Sequence, residues 1–295
     1  MSTDERTVDE PRAAPAAEVD DAADLRGHYF RRLLLRPLTL ISIIAGPLVV
    51  GALFYLMAGP VLGGFMLLLS LFLGVLIVRH KAGEHADDDF NRAYARSRDY
   101  QLGGSTYLGS ATPLLRRGDR QFAEQTFIGE LAAGVSGLLA IYTYVVETTD
   151  THGNRQEDDH PFTLGMVEVP ECVAHVPELY CQRKFGLHSL ERVEDAFRRS
   201  KERVEFESDA LGHKYEIFTG KGQDQNWLRQ LFEPSFIVWL TDSAPEHFAF
   251  ELVNGTLVAY VHGHKEDAAD LDKMAAASAT VAKRLRDESI EQEDR

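Results

Sequence analysis

The most regular feature of the hydrophobic pattern is an uncharged stretch at residues 37–78, which contains no Asp, Glu, Lys, Arg or His. Two apolar runs lie within it, residues 38–57 and 61–78, and only Ala58, Gly59 and Pro60 separate them. The hydrocarbon core of a bilayer is roughly 30 Å thick and is crossed by about 20 helical residues. Because Gly-Pro breaks a helix, the pattern predicts two transmembrane helices joined as a hairpin.

Basic residues flank this hairpin on both sides. They are Arg31, Arg32 and Arg36 before the first run, and Arg79 and Lys81 after the second. Loops rich in Lys and Arg stay in the cytosol, so we expect a multi-pass protein of the cell (plasma) membrane with cytosolic N- and C-termini. A signal peptide is disfavoured, because the first run begins late and the second follows at once.

Strand-like patterns dominate the first part of the remaining chain. Residues 121–128, 138–147, 160–169, 204–207, 215–219, 247–253 and 256–262 are rich in β-branched and aromatic residues. The Asn254-Gly255 pair separates the last two runs, and Asn-Gly is the strongest short signal for a β-hairpin. Antiparallel hairpins next to a few helices predict an α+β fold with a mostly antiparallel, β-rich domain.

Helical patterns are fewer and define the domain limits. Residues 189–201, 224–232, a segment starting at Pro234, and 267–286 each carry apolar residues at helical spacing. We expect an acidic disordered tail at 1–24, the hairpin with its basic flanks at 25–81, a cytosolic domain at 82–286 with a C-terminal helix, and a flexible tail at 287–295.

The stretches AIYTYVVE, HPFTLGMVEVP, FESDALGHKYEIFTGKGQDQNWLRQLFEPSFIVWL and FELVNGTLVAY resemble an uncharacterised family of bacterial membrane proteins, a domain of unknown function. The similarity covers about residues 100–286 and concerns the order of these patterns. The resemblance implies a membrane-tethered cytosolic domain in bacteria, and it implies no reaction.

Charge and cysteine content exclude some functions. The formal net charge is −15, and residues 82–295 alone carry this excess of acids. Such an acidic domain repels phosphate backbones, so we expect no nucleic-acid partner. The two cysteines, Cys172 and Cys181, show no disulfide or C-x-x-C pattern, and we interpret them as reduced thiols.

Catalytic and metal-binding signatures are weak throughout. Cys172, His175 and Cys181 lack the paired short spacing of a zinc site, and His262 with His264 adds only one short pair. The GVSGL stretch around Ser136 lacks the last glycine and the strand–helix context of a nucleophile elbow. No P-loop is present, so the sequence predicts no cofactor, no metal and no assigned catalytic residue.

Two surface candidates remain in the cytosolic domain. Trp227, Phe232, Phe236 and Trp239 form either an apolar groove for a lipid or peptide, or simply part of a helical core. Arg116, Arg117 and Arg120 form the strongest local basic patch, which either touches anionic headgroups or lies on a solvated turn.

The sequence favours a membrane-tethered cytosolic protein-interaction or regulatory module over an enzyme. Its partners are then the lipid bilayer and a protein at the inner leaflet, and the sequence sets no oligomeric state. The alternatives are an enzyme acting on a membrane-proximal substrate, with dispersed residues such as Asp209, His213 and His247, or an inner-leaflet lipid-sensing domain.

Overall fold

A computed structural model describes residues 37–149, 153–184 and 201–293. The predicted N-terminal tail, the basic residues Arg31, Arg32 and Arg36, and nearly all of the predicted helix at 189–201 lie outside the described residues.

Two long helices open the described chain, α1 at Pro37–Ala58 and α2 at Pro60–Ser97. They are joined at Gly59, whose positive φ of 89° allows the reversal, and they pack closely where glycines replace side chains. A Cβ atom added to Gly63 would lie 2.8 Å from the Cα of Tyr55, and one added to Gly51 would lie 2.8 Å from the Cβ of Leu67. The two helices therefore approach to backbone distance at these glycines.

One segment of the described residues is long and apolar enough to cross a membrane, judged by length and composition. It is Pro60–Ile77 of α2, with a mean hydropathy of 2.4, and Ala45–Met57 of α1 is a shorter apolar helix. The structure thus supports one candidate span, and the second span of the predicted hairpin stays a prediction.

The far half of α2 belongs to the globular domain. Ala86, Phe90 and Tyr94 of this half are almost fully buried, and the two aromatic residues join the main hydrophobic core. Their spacing of four residues places them on one face of the helix. One unbroken helix therefore runs from the apolar segment into the domain core.

Within the described residues the domain contains one nine-stranded sheet, and every strand pair in it is antiparallel. The strands are β1 Gln101–Gly103, β2 Arg120–Ala132, β3 Val135–Thr149, β4 Arg155–Glu168, β5 Glu178–Arg183, β6 Glu202–Val204, β7 Tyr215–Thr219, β8 Ala249–Val253 and β9 Thr256–His262. Their order across the sheet is β1-β2-β3-β4-β9-β8-β5-β7-β6. Asn254 and Gly255 join β8 to β9 with φ values of 48° and 84°, which confirms the predicted Asn-Gly hairpin.

In the part of the domain that the structure describes, short helices and one long helix accompany the sheet. They are α3 Asp209–Lys214, α4 Gln225–Leu231, α5 Pro234–Val238 with a following π-helical turn at Trp239–Ser243, and α6 Ala268–Glu293. Helix α6 lies across β2, β3, β4 and β9. It lies close to β4 at Gly165, where an added Cβ would lie 2.8 Å from the Cβ of Ser278.

The two faces of the sheet are covered differently. Helix α6, α4, α5 and the end of α2 cover one face with the large core, and residues 104–119 cover part of the other. The prediction of an α+β fold with a large antiparallel sheet and a C-terminal helix is confirmed. Helix α6 continues to Glu293, past the predicted start of a flexible tail at 287, because Glu288 and Ser289 are buried.

Candidate functional site

Residues 104–119 form a segment, called the strap, that lies on the sheet face opposite α6. A short 3-10 turn at Leu114–Arg116 lies within it, and Leu114 and Leu115 are fully buried against the sheet. A pair of backbone hydrogen bonds between Thr106 and Ala123 fixes its first part. The last part is fixed by the N–H of Asp119, which donates to the carbonyl of Val145 at 2.8 Å.

Glu251, in the middle of β8, points at the strap and has an exposed fraction of 0%. Its neighbours Phe250 and Leu252 face the large core, and strand alternation therefore turns Glu251 to the opposite face. The N–H of Leu114 donates to Oε2 of Glu251 at 2.9 Å. Within the described residues Oε1 has no hydrogen-bond partner. Oε2 thus accepts a hydrogen bond from the strap, and the Thr112 hydroxyl and the Arg117 charge partly offset the burial of the carboxyl group.

Arg117 of the strap is the positive charge that acts most strongly on Glu251. Its Nε and Nη1 atoms are buried and have no hydrogen-bond partner among the described residues. Burial raises the pKa of Glu251, and the Arg117 charge and the Leu114 N–H act against this rise. The backbone of Arg117 is fixed, since its carbonyl accepts from Nε2 of Gln121 at 2.8 Å. The guanidinium donates a side-chain hydrogen bond to Tyr144, and its charge acts on Glu251.

Tyrosines surround these two charges. Burial raises the pKa of Tyr142, Tyr144 and Tyr260, and the positive charge of Arg117 lowers it in each case. The hydroxyl of Tyr142 donates to the carbonyl of Leu114 at 3.4 Å. We call Glu251, Arg117, Tyr142, Tyr144 and Tyr260 the Glu251 cluster. The cluster thus places a carboxyl group, whose pKa burial raises, under a covering segment.

A second polar cluster joins α2 to α6, and we call it the junction clamp. The hydroxyl of Tyr94 donates to Oδ1 of Asp272 at 3.0 Å. Arg98 donates from Nε to Oδ1 at 3.1 Å and from Nη2 to Oδ2 at 2.6 Å. The Arg98 guanidinium also lies 5.1 Å from the centre of the Tyr94 ring. Burial and the Asp272 carboxylate raise the pKa of Tyr94, so its hydroxyl stays a donor.

The residues of the predicted apolar groove lie in or against the core. Trp227, Phe232 and Phe236 have exposed fractions of 1%, 2% and 5%, and Trp239 is partly buried. The Phe236 and Trp239 rings stack at 5.5 Å, and Trp239 meets Phe248 edge-on at 5.9 Å. These contacts are those of the core-packing alternative.

The predicted basic patch is divided by the fold. Arg117 turns toward Glu251, whereas Arg120 is exposed and forms ion pairs with Glu147 and Glu157 at 3.3 and 2.6 Å. Arg116 donates to the carbonyl of Thr112 within the strap. Of the described membrane flank, Arg79 is exposed on α2 just beyond the apolar segment, and Lys81 lies on the same helix.

The described residues that were considered as metal ligands or catalytic groups are not brought together by the fold. Among the described residues no group of three or more His, Cys, Asp or Glu side chains is placed to hold a metal ion. Cys172 accepts a hydrogen bond from Ser289, and Cys181 is buried in β5. His264 contacts the Thr143 hydroxyl at 3.0 Å.

A cleft of about 210 Å³ lies beside β7 and α3, and Lys184, Arg203, Tyr215 and Glu216 are among its lining residues. Asp209, His213 and His247, named as dispersed catalytic candidates, do not line it.

The sequence analysis missed Glu251, although it carries a detectable signal. In the run AFELV an acidic residue stands between apolar residues that all lie inside a strand. A charged side chain inside a strand is buried only when polar groups surround it. An acidic residue at such a position therefore predicts a buried polar contact.

Comparison with known proteins adds no relatives. No family model matches the chain, and neither a curated protein nor a solved structure matches it. The resemblance to bacterial membrane proteins therefore stays an expectation.

Proposed function

We propose that the chain is a membrane-tethered protein-interaction or regulatory module. In this proposal α1 and α2 cross the plasma membrane as a hairpin, both chain ends lie in the cytosol, and the α+β domain stands at the inner leaflet. Its partner is a protein at that leaflet.

The continuity of α2 carries the proposal. Its first half exposes large apolar side chains such as Phe65 and Leu68, at 59% and 65%, which water disfavours and hydrocarbon accepts. Its second half is packed in the domain core and tied to α6 by the junction clamp. A helix of this kind holds the domain at a fixed orientation to the membrane, which suits a domain that presents one face to a partner.

The close packing of α1 on α2 supports the second membrane crossing. Without a hydrophobic drive inside lipid, helices associate through small residues that let backbones approach, as Gly51 and Gly63 do here. The acidic charge of residues 82–295 also keeps the domain surface off anionic headgroups, so the hairpin supplies the membrane attachment.

Membrane attachment is tested with a matched pair of neighbouring glycines. Gly63→Ala places a methyl group against the backbone of Tyr55, whereas Gly64→Ala meets nothing within 4 Å. We expect both variants to stay in the membrane pellet after alkaline carbonate extraction. Gly63→Ala should lower hairpin stability by about 1–3 kcal/mol, and Gly64→Ala should not. Recovery of the wild-type chain in the carbonate supernatant would refute the tether.

Orientation is tested by labelling introduced cysteines in intact cells. A cysteine in place of Val61, which lies beside the turn and is 88% exposed, should react with an impermeant maleimide from outside, and one in place of Glu293 should react only after lysis. Equal labelling of Glu293→Cys before and after lysis would contradict the cytosolic domain.

The interaction role is tested by photo-crosslinking in membranes. A photoreactive residue replaces Tyr107 on the strap or Val238 on α5, both of which are exposed. Two or four alanines are then inserted between Ala82 and Gly83. Two extra helical residues rotate the domain by about 200°, and four rotate it by about 40°. We expect one probe to give a specific adduct that the two-residue insertion removes and the four-residue insertion largely keeps. No adduct from either probe would count against a partner at the leaflet.

A further inference from the structure

The helices α1 and α2 pack against each other in a constant antiparallel register. A Cβ added to Gly51 would lie 2.8 Å from the Cβ of Leu67, and one added to Gly63 would lie 2.8 Å from the Cα of Tyr55. Gly51 and Tyr55 are four residues apart in α1, and Gly63 and Leu67 are four residues apart in α2. Each residue back along α1 is therefore matched by one residue forward along α2.

The same register gives the place where the chain enters α1. Pro37, the first residue of α1, comes opposite the part of α2 that follows its apolar segment. Residues 25–36 immediately precede Pro37 and lie outside the described residues. Continued in the same register, this segment would run beside α2 toward the domain, with Arg31 opposite Asp87. Arg31 is only six residues from Pro37, and a helix of six residues already spans about 9 Å, so the chain is long enough.

Two opposite sides of α2 face different neighbours. At about 100° per residue, Asp88 projects within about 20° of Gly63, which faces α1. Phe90 projects about 180° away from Gly63 and is buried in the domain core. The side that faces α1 in the apolar half therefore continues beside the domain as a surface, where the Asp88 and Asp89 side chains are 62% and 44% exposed.

Opposite charges stand on the two segments that this register brings together. Residues 25–36 contain four arginines and no acid, which gives a formal charge of +4. Residues 84–92 of α2 contain four acids and one arginine, which gives −3 with histidine neutral. That arginine, Arg92, lies 3.8 Å from the carboxylate of Asp88 and 3.6 Å from that of Asp89. It offsets one of the four negative charges, so this side of α2 attracts a basic segment.

We propose that residues 25–36 dock in antiparallel register on the α1-facing side of α2, with Arg31 and Arg32 beside the three aspartates at 87–89. The proposal rests on the packing of α1 against α2, and it does not depend on the protein partner proposed above. The hairpin then continues beyond its apolar part as a charge-paired stalk that leads into the domain. Anionic headgroups attract the same arginines, so the aspartates of α2 compete with the lipid for them.

Disulfide formation between introduced cysteines tests the docked register. Leu33 comes opposite His85, so we call Leu33→Cys with His85→Cys the register pair. Copper-phenanthroline is added to the full chain in nanodiscs of phosphatidylcholine, where the buried native thiols stay unreactive. The register pair should form an intramolecular disulfide about tenfold faster than Leu33→Cys with Ala93→Cys, because the bond needs Cα atoms within about 7 Å. Ala93 is exposed and lies about 12 Å further along α2. Equal rates for the two pairs would overturn the proposal.

Charge reversal in the register pair tests the force that holds the segment. Asp87→Lys, Asp88→Lys and Asp89→Lys together should slow disulfide formation by about five- to tenfold, the amount that a few exposed ion pairs supply. Asp158→Lys, at an exposed position of β4, is the control and should leave the rate unchanged. Unchanged tryptophan emission shows that the domain stays folded in each variant. A triple reversal that leaves the rate unchanged would refute docking by charge.

Restoring the charge pairs separates docking from a general effect of the lysines. Adding Arg31→Glu and Arg32→Glu to the triple reversal should bring the rate back, since the same pairs form with exchanged signs. The measurement is then repeated in nanodiscs that contain phosphatidylserine. Docking on α2 predicts that the register pair still reacts faster than the Ala93 pair in both lipids. A register pair that loses this advantage in phosphatidylserine would show the segment held by headgroups, and it would contradict the proposal.

Discussion

Replacing Asp272 should loosen the attachment of α2 to the domain more than any other single change in α6. Its carboxylate receives three hydrogen bonds, one from Tyr94 and two from Arg98. Asp272→Ala removes all three acceptors at once. The Tyr94 hydroxyl then lies in the core, and the guanidinium of Arg98, whose side chain is only 16% exposed, loses its counter-charge.

The magnitude follows from the number and exposure of these bonds. A hydrogen bond to a charged group contributes about 1.5–3 kcal/mol, and breaking a buried ion pair costs about 3–5 kcal/mol. The Asp272 side chain is 41% exposed, so solvent screening reduces both figures. We expect Asp272→Ala to lower the free energy of unfolding by about 2–4 kcal/mol. Asp272→Asn keeps an acceptor for Tyr94 and should cost roughly half as much.

The assay is urea unfolding of the full chain in mild detergent, followed by tryptophan fluorescence. Both tryptophans of the chain lie in the domain, and Trp227 is 1% exposed, so their emission reports domain unfolding. Lys273→Ala is the control, because its ion pair with Asp270 is exposed and should contribute nothing measurable. Hydrogen exchange should also rise in residues 86–98 of Asp272→Ala. Equal stability of Asp272→Ala and Lys273→Ala would refute the reasoning.

Three further predictions concern the domain core and its edge. Gly165→Ala should destabilise the domain by about 1–3 kcal/mol, because the new methyl group meets Ser278, and Ser278→Gly should restore most of the loss in chemical unfolding. Burial and the neighbouring histidines lower the pKa of His262, so NMR titration should give a value below the ordinary one. His247→Asn, which tolerates the positive φ of 59°, should raise that pKa, and an unchanged value would contradict the assignment. The Cys181 thiol, whose pKa burial raises, should react with maleimide at neutral pH only after unfolding.

Local patterns predicted most of the elements. The strands β7 and β9 and the Asn254-Gly255 turn have the limits that alternation and turn chemistry indicate. Pro234 begins α5 as a first helical residue should. These signals are local, since they depend on neighbours within a few residues, and a single sequence contains them in full.

Elements that depend on distant partners were missed. Strand β5 shows no clear alternation, because it lies between β8 and β7 and buries Leu179, Tyr180 and Cys181 in succession. The end of α6 remains helical because Glu288 and Ser289 pack against the rest of the domain. Contacts with residues far away in the chain determine both strand β5 and the end of α6, and no local sequence pattern indicates those contacts.

The candidate site was missed for the same reason. Arg117 was recognised only as part of a basic patch, and Glu251 lies 134 positions further along the chain. The sheet order, which sets β9 and β8 between β4 and β5, brings the strap over β8. The arginine pattern left lipid contact and a solvated turn as alternatives, whereas in the fold the charge of Arg117 acts on a buried acid.

Because α2 is unbroken, a movement of its apolar half also moves the half that is packed in the domain. Its 38 residues span about 57 Å, and the half that is packed in the domain cannot bend independently of the sheet. In a bilayer, helix tilt adjusts to the thickness of the hydrocarbon layer. With α2 crossing the bilayer as proposed, a tilt change of about 10° would move the end of an arm of roughly 30 Å by about 5 Å, so thinning or thickening of the lipid would shift the whole domain sideways.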